Sequence, residues 1–313
     1  MAASAERPAT LRSDADARRG AWLGLLGVLI FSATLPFTRL AVGTPQAPQL
    51  DPWFVAIGRA SVAGVLSAAV LWHLRAPWPT RAQWPWLAGT VVGVVIGFPL
   101  FTTWALRYVP SAHAAVITGL LPLVTALFGA LLHGDRPSRG FWVCAALGSA
   151  VVVAYALRQG GGALHAADLA LFAAMLLAPL GYATGARLTA QMGGVQAICW
   201  ALVLALPLTV PVALWAAPAK AGRIATSAWL GFGYVSVFSM FLGFFAWYRG
   251  LALGGVARVS QLQLLQPFCT LLLGMALLGE PFDVATLGFA VLVIGVVYVG
   301  RRMPVRHVTE GLR

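Results

Sequence analysis

Gln263, Gln266 and Thr270 stand at i, i+3 and i+7 in an otherwise apolar stretch, a spacing that puts all three on one face of a helix. Glutamine amides donate and accept together, which suits a zwitterion or a neutral polar solute. Bonding one helix to another is their competing use inside a membrane. Arg59 is the one clear ion within an apolar run, at a cost of about 2.5–3.5 kcal/mol on insertion scales. It needs a partner, a cavity or a route to the interface; a substrate carboxylate, backbone carbonyls or Asp51 would each serve. Ser236, Ser239, Gly243 and Trp247 form a second stripe, in which small residues open space beside an aromatic wall. Trp104 offers the opposing wall, although a tryptophan near a helix end equally suits the interfacial belt.

Prolines add a third kind of chemistry. Pro36, Pro122 and Pro267 have no N–H for the carbonyls of Ser32, Thr118 and Gln263, four residues earlier in each case. In a bilayer such freed acceptors are tolerated only when buried in protein or facing water, so a central cavity is their natural place. A neighbouring Ser or Thr hydroxyl filling the bond is the alternative. With Pro179, the match of Pro36, these prolines are the hinge and kink candidates.

Other chemistry is missing. No Ser-His-Asp or Cys-His arrangement and no metal-ligand spacing occurs, so neither an enzyme nor a metal or cofactor site is expected. Cys144, Cys199 and Cys269 lie in apolar runs as packing residues. Asp51, Asp135, Asp168, Glu280 and Asp283 fall at loops or helix ends, and His113 is a loop-edge histidine that could titrate. An acid absent from mid-membrane argues against proton-coupled efflux of cations and for flux down the substrate gradient. Gly89, Gly93 and Gly97 form a small-residue ridge that reads as a packing seam.

The elements that must position these residues are membrane helices. Of 313 residues, 60% are hydrophobic and 10% charged, against a charged share of about 25% in soluble domains. Apolar runs near 20 residues recur and can each cross about 30 Å of hydrocarbon. They predict an all-α polytopic fold of about ten transmembrane helices: 20–42, 52–74, 84–106, 110–133, 139–157, 167–187, 194–216, 226–249, 255–279 and 284–302. A net charge of +12 invites a nucleic-acid partner, but the basic residues lie between apolar runs, which excludes that reading. With the N-terminus inside, inner segments hold 15 Arg and outer loops hold Arg107, Arg158, Lys220 and Arg223. Both termini are therefore expected in the cytoplasm.

Residues 121–135 (LPLVTALFGALLHGD) recur as 266–280 (QPFCTLLLGMALLGE), matching Pro122 to Pro267, Thr125 to Thr270 and Gly134 to Gly279. Five spans per copy make the second copy inverted. The expected organisation is a tail (1–19), a first five-helix repeat (20–157), a linker (158–166), a second repeat (167–302) and a tail (303–313). Charge follows side: Arg136 and Arg139 come after the first copy, Glu280 and Asp283 after the second.

Residues 105–138 and 247–282, with Gly279-Glu280-Pro281 and an Arg early in the second helix, resemble the EamA-type ten-helix branch of the drug/metabolite transporter superfamily. The first copy departs to Gly134-Asp135-Arg136, and Phe31-Ser32 replaces the usual Trp-Gly. The resemblance implies export of small metabolites, often amino acids and in some members aromatic ones, across the bacterial inner membrane. The expectation is alternating access in a functional monomer. A multidrug or organic-cation exporter, a non-transporting membrane subunit and an importer are the rivals.

Overall fold

The structure, a computed structural model, describes residues 14–132, 136–159, 161–254, 259–281, 283–303 and 305–306. Gly134 and Asp135, which close the first copy of the repeat, lie outside the described residues, as does Arg258. Among the described residues ten apolar helices run through the chain: α1 (Arg18–Val42), α2 (Pro52–His73), α3 (Arg81–Ala105), α4 (111–132), α5 (Arg139–Gln159), α6 (Ala166–Met192), α7 (Gly194–Trp215), α8 (Thr226–Gly250), α9 (260–278) and α10 (Val284–Gly300). Seven of them, of 21–27 residues, are long and apolar enough to cross a bilayer; the apolar stretches of α4 (Ser111–Thr125), α9 (Leu262–Leu278) and α10 (Val284–Gly300) are shorter. The protein is a polytopic helical membrane protein. Its outward faces carry Leu26, Val65, Leu208, Leu230 and Leu272, and Trp22, Trp72 and Trp215 stand exposed near helix ends, as lipid and headgroup contact require.

Three helices are jointed, each just before one of the proline hinge candidates. In α1 a first segment ends at Ser32 and a second begins at Thr34. In α4 a turn at 119–120 separates Ser111–Thr118 from Leu121–Leu132. In α9 a 3-10 stretch, Ser260–Leu265, leads into Gln266–Leu278. Each second segment has its proline in the first turn, where a missing N–H breaks no helical bond. Pro179, by contrast, sits inside an unbroken α6. Among the described residues the chain is already helical from Asp14. Gly279, with φ of 64°, closes α9 in the left-handed conformation that glycine adopts without strain.

Packing follows an exchange rule. α2 lies along α7, α5 along α10 and α4 against α9, while α1 packs on α8 as α6 packs on α3. Swapping helices one to five with six to ten maps each of these contacts onto itself or onto another. Both α3 and α8 also widen into π-helical turns, Val91–Gly97 and Val235–Leu242. The glycine ridge of α3 faces α6, so closely that a Cβ on Gly93 would sit 2.4 Å from the Gly181 nitrogen. Two large apolar cores and two small ones result. Of the large ones, one joins α2, α7 and α8 with parts of α1 and α3; the other joins α4, α5, α6 and α10. Tyr182 of α6 packs against both. Two short strands, β1 (Arg136–Pro137) and β2 (Val305–Arg306), pair antiparallel and hold the segment after α4 beside the C-terminal tail.

Candidate functional site

Two small adjoining cavities lie where the jointed helices meet. One, of about 20 Å³, is lined by Thr118, Gln263, Gln266, Pro267, Thr270 and Tyr182 among others. The second, of about 30 Å³, is lined by Thr34, Arg59, Thr118, Tyr182, Ser239 and Gln266 with Phe31, Phe98 and Phe244. Gln266, Thr118, Leu121 and Tyr182 border both, so the two are compartments of one polar centre. At about 10–15 Å³ per water they have room for about one to three waters each, and neither approaches the ~300 Å³ at which ligand pockets begin. No Asp or Glu lines either compartment.

Two of the freed carbonyls, those of Ser32 and Gln263, are answered within the protein. Ser32 O accepts from the Thr270 hydroxyl at 2.8 Å, which ties α1 to α9. Gln263 O accepts from the Gln266 N–H in the 3-10 stretch. The neighbouring-hydroxyl alternative therefore holds at Ser32, whose own hydroxyl turns back to Val28 O at 2.7 Å. Thr118 likewise bonds Ala114 O at 2.8 Å while lining both compartments.

Arg59 is 3% exposed. Its Nη2 donates to Ser239 Oγ at 3.0 Å, and Ser239 Oγ lies 2.8 Å from Thr34 Oγ1. Among the described residues Nε and Nη1 have no hydrogen-bond partner. Asp51 does not serve as one: it caps α2, accepting from Trp53 N–H at 2.8 Å, about two turns away. The geometry thus presents a desolvated cation, held from one side by a hydroxyl pair, beside an uncharged cavity.

Other expected site residues are placed elsewhere. Ser236 is buried and bonds Phe232 O at 2.7 Å, lining neither compartment. Trp247 is buried in the α1–α8 seam, against Gly27 and edge-on to Phe31 at 6.4 Å. Trp104 packs on Tyr108 at 5.0 Å and lines a different space. The two tryptophans do not face each other across one cavity. The cause lies in α8: i→i+5 turns carry more residues per turn than an α-helix, so a stripe drawn at 3.6 residues drifts off its face.

That different space is a cavity of about 840 Å³ at one end of the bundle, bordered by α3, α4, α5, α6 and the loop before α10. His113 Nε2 and Asp168 Oδ1 meet at 2.6 Å among its lining residues, and Asp168 Oδ2 accepts from His165 N–H at 2.9 Å. Glu280 caps the start of α4, accepting from Ser111 N–H at 2.7 Å, the Ser111 hydroxyl at 2.9 Å and Ala112 N–H at 3.0 Å. Arg39 Nε stands 3.8 Å from the same carboxylate. Sequence reasoning missed Thr34 and Tyr182 at the centre, and it left His113 and Asp168 unconnected. The available signal was two lone titratable groups at the starts of helices on one side.

Comparison with known proteins gives a consistent picture. Residues 18–156 and 165–300 each match the EamA-like transporter family. An uncharacterized transporter, YdeK, of Bacillus subtilis is 47% identical over 282 residues, covering 90% of this chain and 96% of that protein. A probable terminal-alkyne amino-acid exporter of Streptantibioticus cattleyicolor is 25% identical, over 91% of this chain and 94% of its own. The aromatic amino acid exporter YddG of Ancylobacter novellus is 32% identical, over 42% of this chain and 46% of its own. One solved crystal structure superposes with a TM-score of 0.58 at 20% identity, covering 90% of this chain and 95% of that one, a likeness of fold alone.

Proposed function

The chain belongs to the EamA-like transporter family, and on that premise we propose that this multi-pass transporter exports amino acids across the bacterial inner membrane by alternating access. The observation that carries the reading is the polar centre shared by both matched segments. Thr118 comes from the first and Tyr182, Gln263, Gln266 and Thr270 from the second, around compartments of 20–30 Å³. A solute larger than water enters only if the helices part. The joints of α1, α4 and α9 converge on that centre and supply places for parting. A repeat unit of five helices, 20–157 and 167–302, moving as a body about Pro122 and Pro267 is the motion that fits an inverted pair. Relatives named as amino acid exporters favour that substrate class.

Counterflow in proteoliposomes against labelled amino acids, sugars, nucleosides and polyamines tests it. Exchange of amino acids that Gln266→Ala weakens supports the reading. Exchange only of polyamines and cationic dyes moves the protein to the organic-cation class. Wild-type exchange in both Gln263→Ala and Gln266→Ala removes the central site.

A further inference from the structure

We propose that Arg59 is the receptor for a substrate carboxylate, so that the solutes carried are those bearing a carboxylate, with or without an ammonium group. This rests on the central compartments being the transport site. Arg59 is 97% removed from solvent, by its 3% exposure, yet among the described residues two of its three nitrogens have no hydrogen-bond partner. Unpaired charge in such a place is costly, and native structures pair it. The described residues form the ion pairs Arg39–Glu280, His113–Asp168 and His165–Asp168, and none of these reaches Arg59.

The free donors suit a two-oxygen acceptor. Ser239 takes one hydrogen of Nη2. Whichever hydrogen that is, one of the two forked edges of the guanidinium keeps both its N–H groups, the geometry a carboxylate fills with parallel bonds. No acid faces the compartment to meet a cation, so the ammonium of an amino acid would rest on the neutral oxygens of Gln266 and Thr118. Carboxylate is then required and ammonium optional, and a decarboxylated amine has nothing to hold it.

The test compares solutes before it compares variants. Wild-type protein in proteoliposomes preloaded with L-phenylalanine or L-alanine is challenged with the same acid, its amide, the matching amine and the matching 2-hydroxy acid. The expected result is exchange with the amino acids and hydroxy acids, and a loss of at least about tenfold with amides and amines, as a site built for one polar group shows toward analogues that lack it. Arg59→Lys and Arg59→Gln, checked for folding by size exclusion and melting, should both lose acid exchange, because lysine restores charge but not the fork. L-phenylalanine should raise the melting temperature of wild type and leave that of Arg59→Gln unmoved. Equal exchange of acid and amide in wild type overturns the proposal, even where Arg59→Gln does not fold. Acid–amide indifference together with sensitivity to Gln266→Ala would overturn the carboxylate receptor and leave the central site standing. Insensitivity to all central variants would remove the site itself.

Discussion

Gln266 and Gln263 are three residues apart on one face, yet they are not equivalent. Gln266 borders both compartments of the polar centre and Gln263 only the smaller. Losing one hydrogen bond to a solute costs about 0.5–1.5 kcal/mol, up to roughly tenfold in exchange rate. Gln266→Ala is therefore expected to weaken counterflow by more than Gln263→Ala, and equal effects would count against a solute lying between them. These residues were legible because an amide or guanidinium in an apolar run has few uses. Thr34 and Tyr182 were not legible, since a threonine or tyrosine in a membrane helix is ordinary packing until a cavity is found beside it. Ser236 and Trp247 fall outside the two compartments, because the π-turn of α8 does not keep the helical period by which they were grouped.

At the scale of elements, helix starts carry much of the specificity. Asp168 caps α6 through His165 N–H and binds His113 of α4 at 2.6 Å, while only 2% exposed. Removing one member of a buried pair costs about 3–5 kcal/mol. Asp168→Ala is thus expected to melt well below wild type, and His113→Ala less so because Asp168 keeps its capping bond. Asp283 does similar work at the surface, accepting from Ala285 N–H, Thr286 N–H and the Thr286 hydroxyl. The Thr286 hydroxyl first, then the two backbone N–H groups, hold its carboxyl below the usual range. A depressed value in the folded state means stability that is present above the unfolded pKa and lost as pH falls through the folded one. Melting of wild type should therefore decline on acidification through the carboxylate range. In Asp283→Asn, which caps without titrating, that decline should be shallower; an unchanged slope would assign it to other carboxyls. The number and order of helices were readable from apolar length. Proline marked the candidate joints, but Pro36, Pro122 and Pro267 and the unjointed Pro179 look alike in sequence, and packing decides which helix breaks.

For the whole molecule the question is which side sees the large cavity. Its rim is formed by the loops after α3, α5 and α9, which carry Tyr108, His165 and Glu280. The opposite end holds the strand pair that joins 136–137 to 305–306. By the excess of 15 basic residues over four, that second end is expected in the cytoplasm and the cavity outside. Between cavity and centre stand one turn of α4 and its clasp to α6, from His113 to Thr118. On the proposed transport reading, the cavity of 840 Å³ beside compartments of 20–30 Å³ is a vestibule with its floor closed. Cysteine placed at Ala112 or Gln159, both on the vestibule wall, should react with a membrane-impermeant maleimide added outside whole cells. Cysteine at Arg75, in the exposed loop after α2, should react only in inside-out vesicles. Native Cys144 and Cys199 are buried and Cys269 is partly so, which makes a cysteine-free background the right starting point. In that background a cysteine at Thr118 should be protected at rest and gain reactivity as substrate exchange proceeds, because the floor must open to pass a solute. Reversed labelling of Ala112 and Arg75 would invert the molecule in the membrane, and a Thr118 position that stays dark during active exchange would route the solute past some other part of the bundle.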